Sequence, residues 1–298
     1  MGKRKYSDSD YKYIIENYNL KTSTEIAKIV GCSRSLVTKI WNDNSLKGKQ
    51  KSRQYYCDFN YFNNIDTRNK SYLVGLLASD GCLFKRENHQ GCIRLSLHKD
   101  DLNLLKDINS ELQYDKPLEQ TGDYLSITIN SEIMYSNLVS IGLYDNKTKY
   151  LDSKDIIIPD AFLLDYIRGY FDGDGSIFIN KPKSNINITP TCFYISISGY
   201  YHNLKSIQNM LLQYNIVAQI TIDKRRYGGY NKFANLKFGA NKDKYFFLKL
   251  IYHDVNKILY MNRKYDKAKK FLDMIENNYT NRTSNTNIVK EFNSLFNK

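Results

Sequence analysis

None of the five cysteines, at positions 32, 57, 82, 92 and 192, pairs with another in a Cys-x-x-Cys motif. The four histidines, at 89, 98, 202 and 253, have no metal-ligand spacing either. This excludes a zinc site and leaves the cysteines as reduced, small apolar residues. No run approaches the roughly 18 apolar residues of a membrane span, and the start, Met-Gly-Lys-Arg-Lys, has no apolar signal core. The expected setting is therefore intracellular: a bacterial or phage cytoplasm, or an organelle. Acidic residues are also short: 31 Asp and Glu against 44 Lys and Arg give a formal charge of +13. That balance points to a polyanionic partner, with nucleic acid ahead of an anionic membrane surface. The 298 residues are enough for two or three domains with a substantial core.

Residues 7–42 read as three short helices. Ser7 is a candidate N-cap for the first, Ser23 or Thr24 for the second, and Gly31-Cys32-Ser33 supplies the turn into a third over Arg34–Trp41. Ala27, Gly31 and Val37 fall where a helix-turn-helix needs a small contact, a left-handed turn residue and a core anchor. Arg34, Ser35, Thr38 and Lys39 would then face a major groove or phosphates. An ordinary three-helix bundle is the alternative. We assign residues 1–46 to this module. Residues 47–70 have no helical or strand period and read as a basic, polar linker, either lying along phosphates or simply solvated.

Two later stretches share one layout. Ser71-Tyr72-Leu73-Val74-Gly75-Leu76-Leu77-Ala78-Ser79-Asp80-Gly81 and Asp165-Tyr166-Ile167-Arg168-Gly169-Tyr170-Phe171-Asp172-Gly173-Asp174-Gly175 each read as a helix running into Asp-Gly and then a strand. The order that follows is also repeated. Alternation over Ile93–Leu97, Leu125–Ile129 and Phe193–Ile197 predicts half-buried strands, and Ile220, Ile222 and the stretch Ala234–Phe238 are strand-like as well. Helical spacing over Leu102–Leu112, Glu132–Ile141, Leu204–Leu212 and Tyr245–Tyr252 separates them. The repeats are assigned to residues 71–158 and 159–276, and residues 277–298 to a polar, partly disordered tail.

Gly75 with Ser79, and Gly169 with Gly173, put small residues four apart on one helix face. Two such faces can pack in parallel at close approach, with Gly75 and Gly169 at the helix interface. Asp80 and Asp174 then meet at one end. Adjacent carboxylates repel unless a cation lies between them, and carboxylate and carbonyl oxygens suit Mg²⁺.

The doubled motif resembles the signature helix of the LAGLIDADG homing endonucleases, and the resemblance covers roughly residues 59 to 275. It implies an α+β fold in which two pseudo-symmetric αββαββα repeats form a DNA-binding saddle, here preceded by a small all-α helix-turn-helix domain. It also implies a monomeric enzyme that cuts one phosphodiester on each strand of a long, asymmetric double-stranded DNA site, leaves 3′ overhangs and promotes mobility of an intron or other selfish element. Mg²⁺, with Mn²⁺ as a possible substitute, would be the cofactor. Asp80 and Asp174 match the family's catalytic, metal-binding acids, and the carbonyls of Ser79 and Gly173 its further metal contacts. Lys147 and Lys264 lie where the family often has a basic residue near the scissile phosphate; solvated surface is the alternative for both. On the outward strand faces and loops, the candidate DNA contacts are Lys85, Arg86, Arg94, Ser96 and His98 in the first repeat. Those in the second are Asn180, Lys181, Ser196, Lys224, Arg225, Arg226 and Lys237. Ala78 departs from the motif where Asp172 keeps it, at a position that is not the family's catalytic acid. The chain lacks an N-terminal Cys and a terminal His-Asn pair, so it is not expected to be an intein. A non-catalytic DNA-binding regulator on the same fold and an RNA-binding intron maturase are the rival readings.

Overall fold

The computed structural model describes residues 6–18, 21–44, 46, 55–87, 89–144, 156–180, 192–223, 233–277 and 283–296. Their contacts divide the chain into two compact units, residues 1–56 and 57–298.

In the first unit, α1 (Asp8–Glu16), α2 (Ser23–Val30) and α3 (Arg34–Asp43) enclose a core of Ile14, Ile26, Ala27, Val37, Ile40 and Trp41. Each start is fixed locally. Ser7 and Asp10 form a reciprocal capping box, and so do Thr22 and Glu25. The cap of α2 is thus Thr22 rather than the expected Ser23 or Thr24. The reason is that only Thr22 has a carboxylate three residues on to return the bond, with its own N–H donating to Glu25 Oε2 at 2.7 Å. Gly31 ends α2 at φ 70°, a left-handed turn that a side chain would strain. Ser33 then caps α3, and Trp41 Nε1 donates to the Ile14 carbonyl at 3.0 Å, tying the third helix to the first.

In the second unit, α4 (Arg68–Ser79) leads into β1 (Gly81–Phe84), β2 (Cys92–His98), α5 (Leu102–Glu111), β3 (Glu119–Thr121), β4 (Tyr124–Asn130) and α6 (Glu132–Ile141). The order recurs as α7 (Leu163–Asp174), β5 (Gly175–Asn180), β6 (Cys192–Tyr200), α8 (Tyr201–Leu212), β7 (Gln219–Ile222), β8 (Phe233–Phe238) and α9 (Asn241–Ile251). Both sheets are antiparallel, ordered β1-β2-β4-β3 and β5-β6-β8-β7. Their registers correspond: Gly81 pairs with Leu95 as Gly175 pairs with Ile197. One face of each sheet is apolar and buried (Leu83, Ile93, Leu95, Ile127 in the first; Ile177, Ile195, Ile197, Leu236 in the second) and the other is open.

Two segments differ from expectation. In the supposed linker, Cys57, Tyr61, Phe62 and Ile65 are buried in the main core, and Tyr61 donates to Glu111 at 2.9 Å. Interspersed Asn and Asp hide four anchors that become buried once the main core packs around them. The tail expected to be polar and partly disordered contains α11 (Thr283–Phe296), preceded by α10 (Asn262–Glu276). Its Phe292 is buried edge-on to Tyr245 and Phe246, and Glu291 pairs with Lys242.

Candidate active site

The site is built on the contact between α4 and α7. A Cβ added to Gly75 would lie 2.0 Å from the Tyr166 carbonyl oxygen, and one added to Gly169 would lie 2.0 Å from that of Tyr72. Further along, a Cβ on Gly173 would meet Ser79 Oγ at 1.9 Å and Asp80 Oδ2 at 3.1 Å. Contacts advance together along both helices, so they run parallel, and only glycine permits this backbone approach. The consequence is positional. Asp80, the C-cap of α4, comes to the last turn of α7, where Asp174 follows Gly173. Asp80 is exposed and Asp174 half-buried, each immediately before the first strand of its sheet.

Behind this pair lies a buried polar network that sequence reasoning did not find. Asp172 is fully buried. Its Oδ1 accepts from Tyr252 Oη at 2.7 Å, and its Oδ2 from Tyr72 Oη at 2.9 Å and the Met261 N–H at 2.7 Å. Desolvation raises its carboxyl above the usual range, against the opposing pull of these donors and of Lys264. Farther from the acids, buried Arg168 is ion-paired to Asp165 and donates to the carbonyls of Leu259 and Ile251, each at 3.1 Å. Its guanidinium carbon is 5.1 Å from the Tyr72 ring centre. Arg68 of α4 completes the cluster, donating to Asp165 at 3.0 Å. The only sequence signal was charge on an otherwise apolar helix, Asp165, Arg168 and Asp172 in one motif. The partners come from residues some 80 to 100 positions away and could not be read locally.

Lys264, on the first turn of α10, is 5% exposed, not on solvated surface. Its Nζ donates to the carbonyls of Phe171 at 2.8 Å and Gly173 at 2.9 Å, the last turn of α7. Burial depresses its pKa to about 8, with the charges of Asp172, Asp80 and Asp174 acting the other way. A cation thus sits beneath the acid pair. Lys147 lies outside the described residues, as do Lys181, Lys224, Arg225 and Arg226.

Lys85, just after β1, ion-pairs with Glu132 at the start of α6; on the open face of the first sheet, Arg94 lies 3.7 Å from Glu119 and donates to Thr128 Oγ1 at 3.2 Å. Both pairs are partly solvent-exposed, where an ion pair contributes little net stability. Ser96 bonds Ser126 across β2 and β4 at 2.7 Å, and His98 Nδ1 accepts the Asp100 N–H in a cap. Arg86, Asn180 and Lys237 are exposed, and Ser196 is half-buried between Ser176 and Lys237. Cys82 and Cys192 also lie on these open faces, exposed and without a disulfide partner among the described residues. In the first unit, Arg34, Ser35, Thr38 and Lys39 are exposed on α3, as a groove-reading helix requires.

Among the described residues no three His, Cys, Asp or Glu cluster as metal ligands. What converges instead is two carboxylates and the backbone oxygens at two helix ends. That donor set fits a hard divalent ion held by one or two carboxylates, with waters and substrate phosphate completing its shell. The Gly173 carbonyl already accepts from Lys264, but a carbonyl oxygen has a second lone pair.

Residues 161–252 match a family model described as a LAGLIDADG-like domain. No curated protein matches the chain in sequence. Among solved structures, the chain is similar to meganuclease I-SmaMI bound to uncleavable DNA, with 16% identity, 76% of this chain and 95% of that chain covered, and a TM-score of 0.54. It is likewise similar to the I-SmaMI LAGLIDADG homing endonuclease bound to cleaved DNA, with 14% identity, 75% and 95% coverage and a TM-score of 0.52. At these identities the likeness is one of fold. With the motif helices paired through Gly75 and Gly169 and a four-stranded sheet of the same order in each repeat, the second repeat matches the LAGLIDADG-like domain model and the two repeats together share the fold of these meganucleases.

Proposed function

We propose that this protein is a site-specific double-stranded DNA endonuclease that hydrolyses one phosphodiester on each strand, with Asp80 and Asp174 as its catalytic, metal-holding acids. The observation that supports this reading is the approach of Asp80 Oδ2 to 3.1 Å from a Cβ position on Gly173, the residue before Asp174. When bound, Mg²⁺ would polarise the phosphodiester and lower the pKa of a water. Asp80, Asp174 and the carbonyls of Ser79 and Gly173 would hold it. The chain contributes the rest. Lys264 fixes the Gly173 carbonyl and offsets part of the carboxylate charge, and the open sheet faces position the duplex through Arg94, Ser96, Ser196 and Lys237. Lys147, by its place in the first repeat, would supply a matching cation there. The similar I-SmaMI structures hold DNA, one of them cleaved, which supports the same substrate class here. Mobility of an intron or other selfish element is the biological role that fits such an enzyme.

The test is cutting of a randomised duplex library with Mg²⁺ present or chelated, sequencing the ends. The wild-type chain should cut one long recurrent site, and Asp174→Asn should lose roughly 10⁴-fold in rate while keeping affinity, the scale set by removing one member of a catalytic set. Double-strand cleavage by Asp174→Asn at near-normal rate would sink the acid assignment.

The first unit would add a second DNA contact through Arg34, Ser35, Thr38 and Lys39. Its core is separate from that of residues 57–298, so deleting residues 1–56 should leave the second unit folded. Cleavage should persist while affinity drops about 100-fold, the scale of losing one of two linked modules. Unchanged affinity and site preference would refute a DNA role for that unit.

A further inference from the structure

The open face of the second sheet carries two large apolar side chains where a solvated strand would carry polar ones. Phe178 of β5 and Tyr194 of β6 are cross-strand partners, 60% and 57% exposed, with ring centres 6.3 Å apart. Polar residues border the pair: Ser176 and Asn180 precede and follow Phe178 on the same face, and Ser196 faces Lys237 one row away. The equivalent first-repeat pair is Phe84 with Cys92, of which Phe84 is half-buried and Cys92 buried. The patch is therefore a property of the second repeat and not of the duplicated fold. Exposed aromatics on a regular strand face cost solubility unless something covers them.

Resting on the DNA-cleavage reading above, we infer that Phe178 and Tyr194 form an apolar patch that selects thymine in the half-site contacted by the second repeat. The occupant follows from charge and chemistry. A chain of formal charge +13 favours nucleic acid, and the only apolar group that a duplex presents in its major groove is the thymine C5-methyl. Phe178 lies four residues beyond Asp174 on the strand that starts at Gly175. At about 3.3 Å per residue against about 3.4 Å per base pair, that places the selected position roughly four base pairs from the cut. The first repeat presents Arg94 one row away, a donor suited to guanine, so the two halves would read different chemistry.

Deoxyuridine tests this directly, because it keeps the pairing edge of thymine and lacks only the methyl. After wild-type protein has selected its site, each thymine of the second-repeat half is replaced singly, and affinity is titrated with divalent ion chelated. One or two positions near the fourth base pair should lose about fivefold, the worth of one methyl. Phe178→Ala/Tyr194→Ala should show that loss already and be insensitive to the replacement, while Phe178→Leu, still apolar, should keep the preference. Replacement effects below about twofold throughout that half, or equal sensitivity in the double variant, would overturn the inference and leave the endonuclease reading standing. Loss of single-stranded RNA binding in the variant, with duplex binding untouched, would also overturn it. Failure of the wild type to select any duplex would remove the reading beneath it.

Discussion

The two repeats agree at the helix contact and disagree behind it. Gly75 matches Gly169 and Asp80 matches Asp174, but Ser71, Val74 and Ala78 of the first stand where Asp165, Arg168 and Asp172 stand in the second. The agreeing positions are those where one helix meets the other or the reacting end. The differing positions serve different partners: Ser71 donates to the Phe162 carbonyl across the interface, while in the second repeat Arg168 and Asp172 meet the chain that leads into α10, at Leu259 and Met261. A duplicated framework thus keeps what the pair needs and frees each copy to anchor its own surroundings. Here the second copy has acquired a buried hydrogen-bonded hub, which reaches back across the interface through Tyr72.

The strongest way to break the shared part is to add one carbon to it. Gly75→Ala and Gly169→Ala each force a Cβ to 2.0 Å from a backbone oxygen, which cannot move as a side chain end could. Each should cost about 3 kcal/mol or more in chemical unfolding, beyond ordinary overpacking. Near-equal costs would confirm that the contact is symmetric, whereas a tolerated alanine at either position would show that the helices can slide apart.

The unshared part should be asymmetric. Asp172→Ala leaves two buried tyrosine hydroxyls and the Met261 N–H without their acceptor and should cost about 3–5 kcal/mol. Putting the missing carboxylate into the first repeat, Ala78→Asp, should destabilise as well, because a group 7% exposed would be charged without that set of donors. If Ala78→Asp proved neutral while Asp172→Ala stayed costly, the first repeat would hold donors like those of the second.

A smaller effect separates the halves by pH. Lys264 has a folded pKa of about 8, lowered by burial from 10.5. Between these values the unfolded chain binds a proton that the folded chain has lost, so unfolding free energy from this group rises with pH across the window. Below about pH 8 both states are protonated and the full cost of burying the charge is present. Urea unfolding at pH 7.5 and 10 should show that rise in the wild type and a flatter dependence in Lys264→Met. An unchanged slope would mean that the ammonium is better solvated than its 5% exposure indicates.

Much of the fold was legible because it is written locally. The recurrent Gly–Asp spacing and the alternating strands named both repeats, and Ser7 and Gly31 marked helix ends where the structure puts them. Thr22 was missed because its partner lies three residues ahead and the hydroxyls beside it looked equivalent. Cys57, Tyr61, Phe62 and Ile65 were missed because no period runs through them, and α11 because its anchoring Phe292 sits among polar neighbours. In each case burial is decided by what arrives from elsewhere.

By itself, then, the sequence determined the two acid-tipped helices, their small-residue faces and the order of the elements around them, since caps, periods and glycine spacing act within a few residues. Only the tertiary structure decided which charges go inside and what they hold. Asp172 receives Tyr72, Tyr252 and Met261, and Lys264 settles under the acids on the Phe171 and Gly173 carbonyls. A buried charge persists only where donors from distant segments converge on it, and that convergence exists only once the two repeats and α10 have packed.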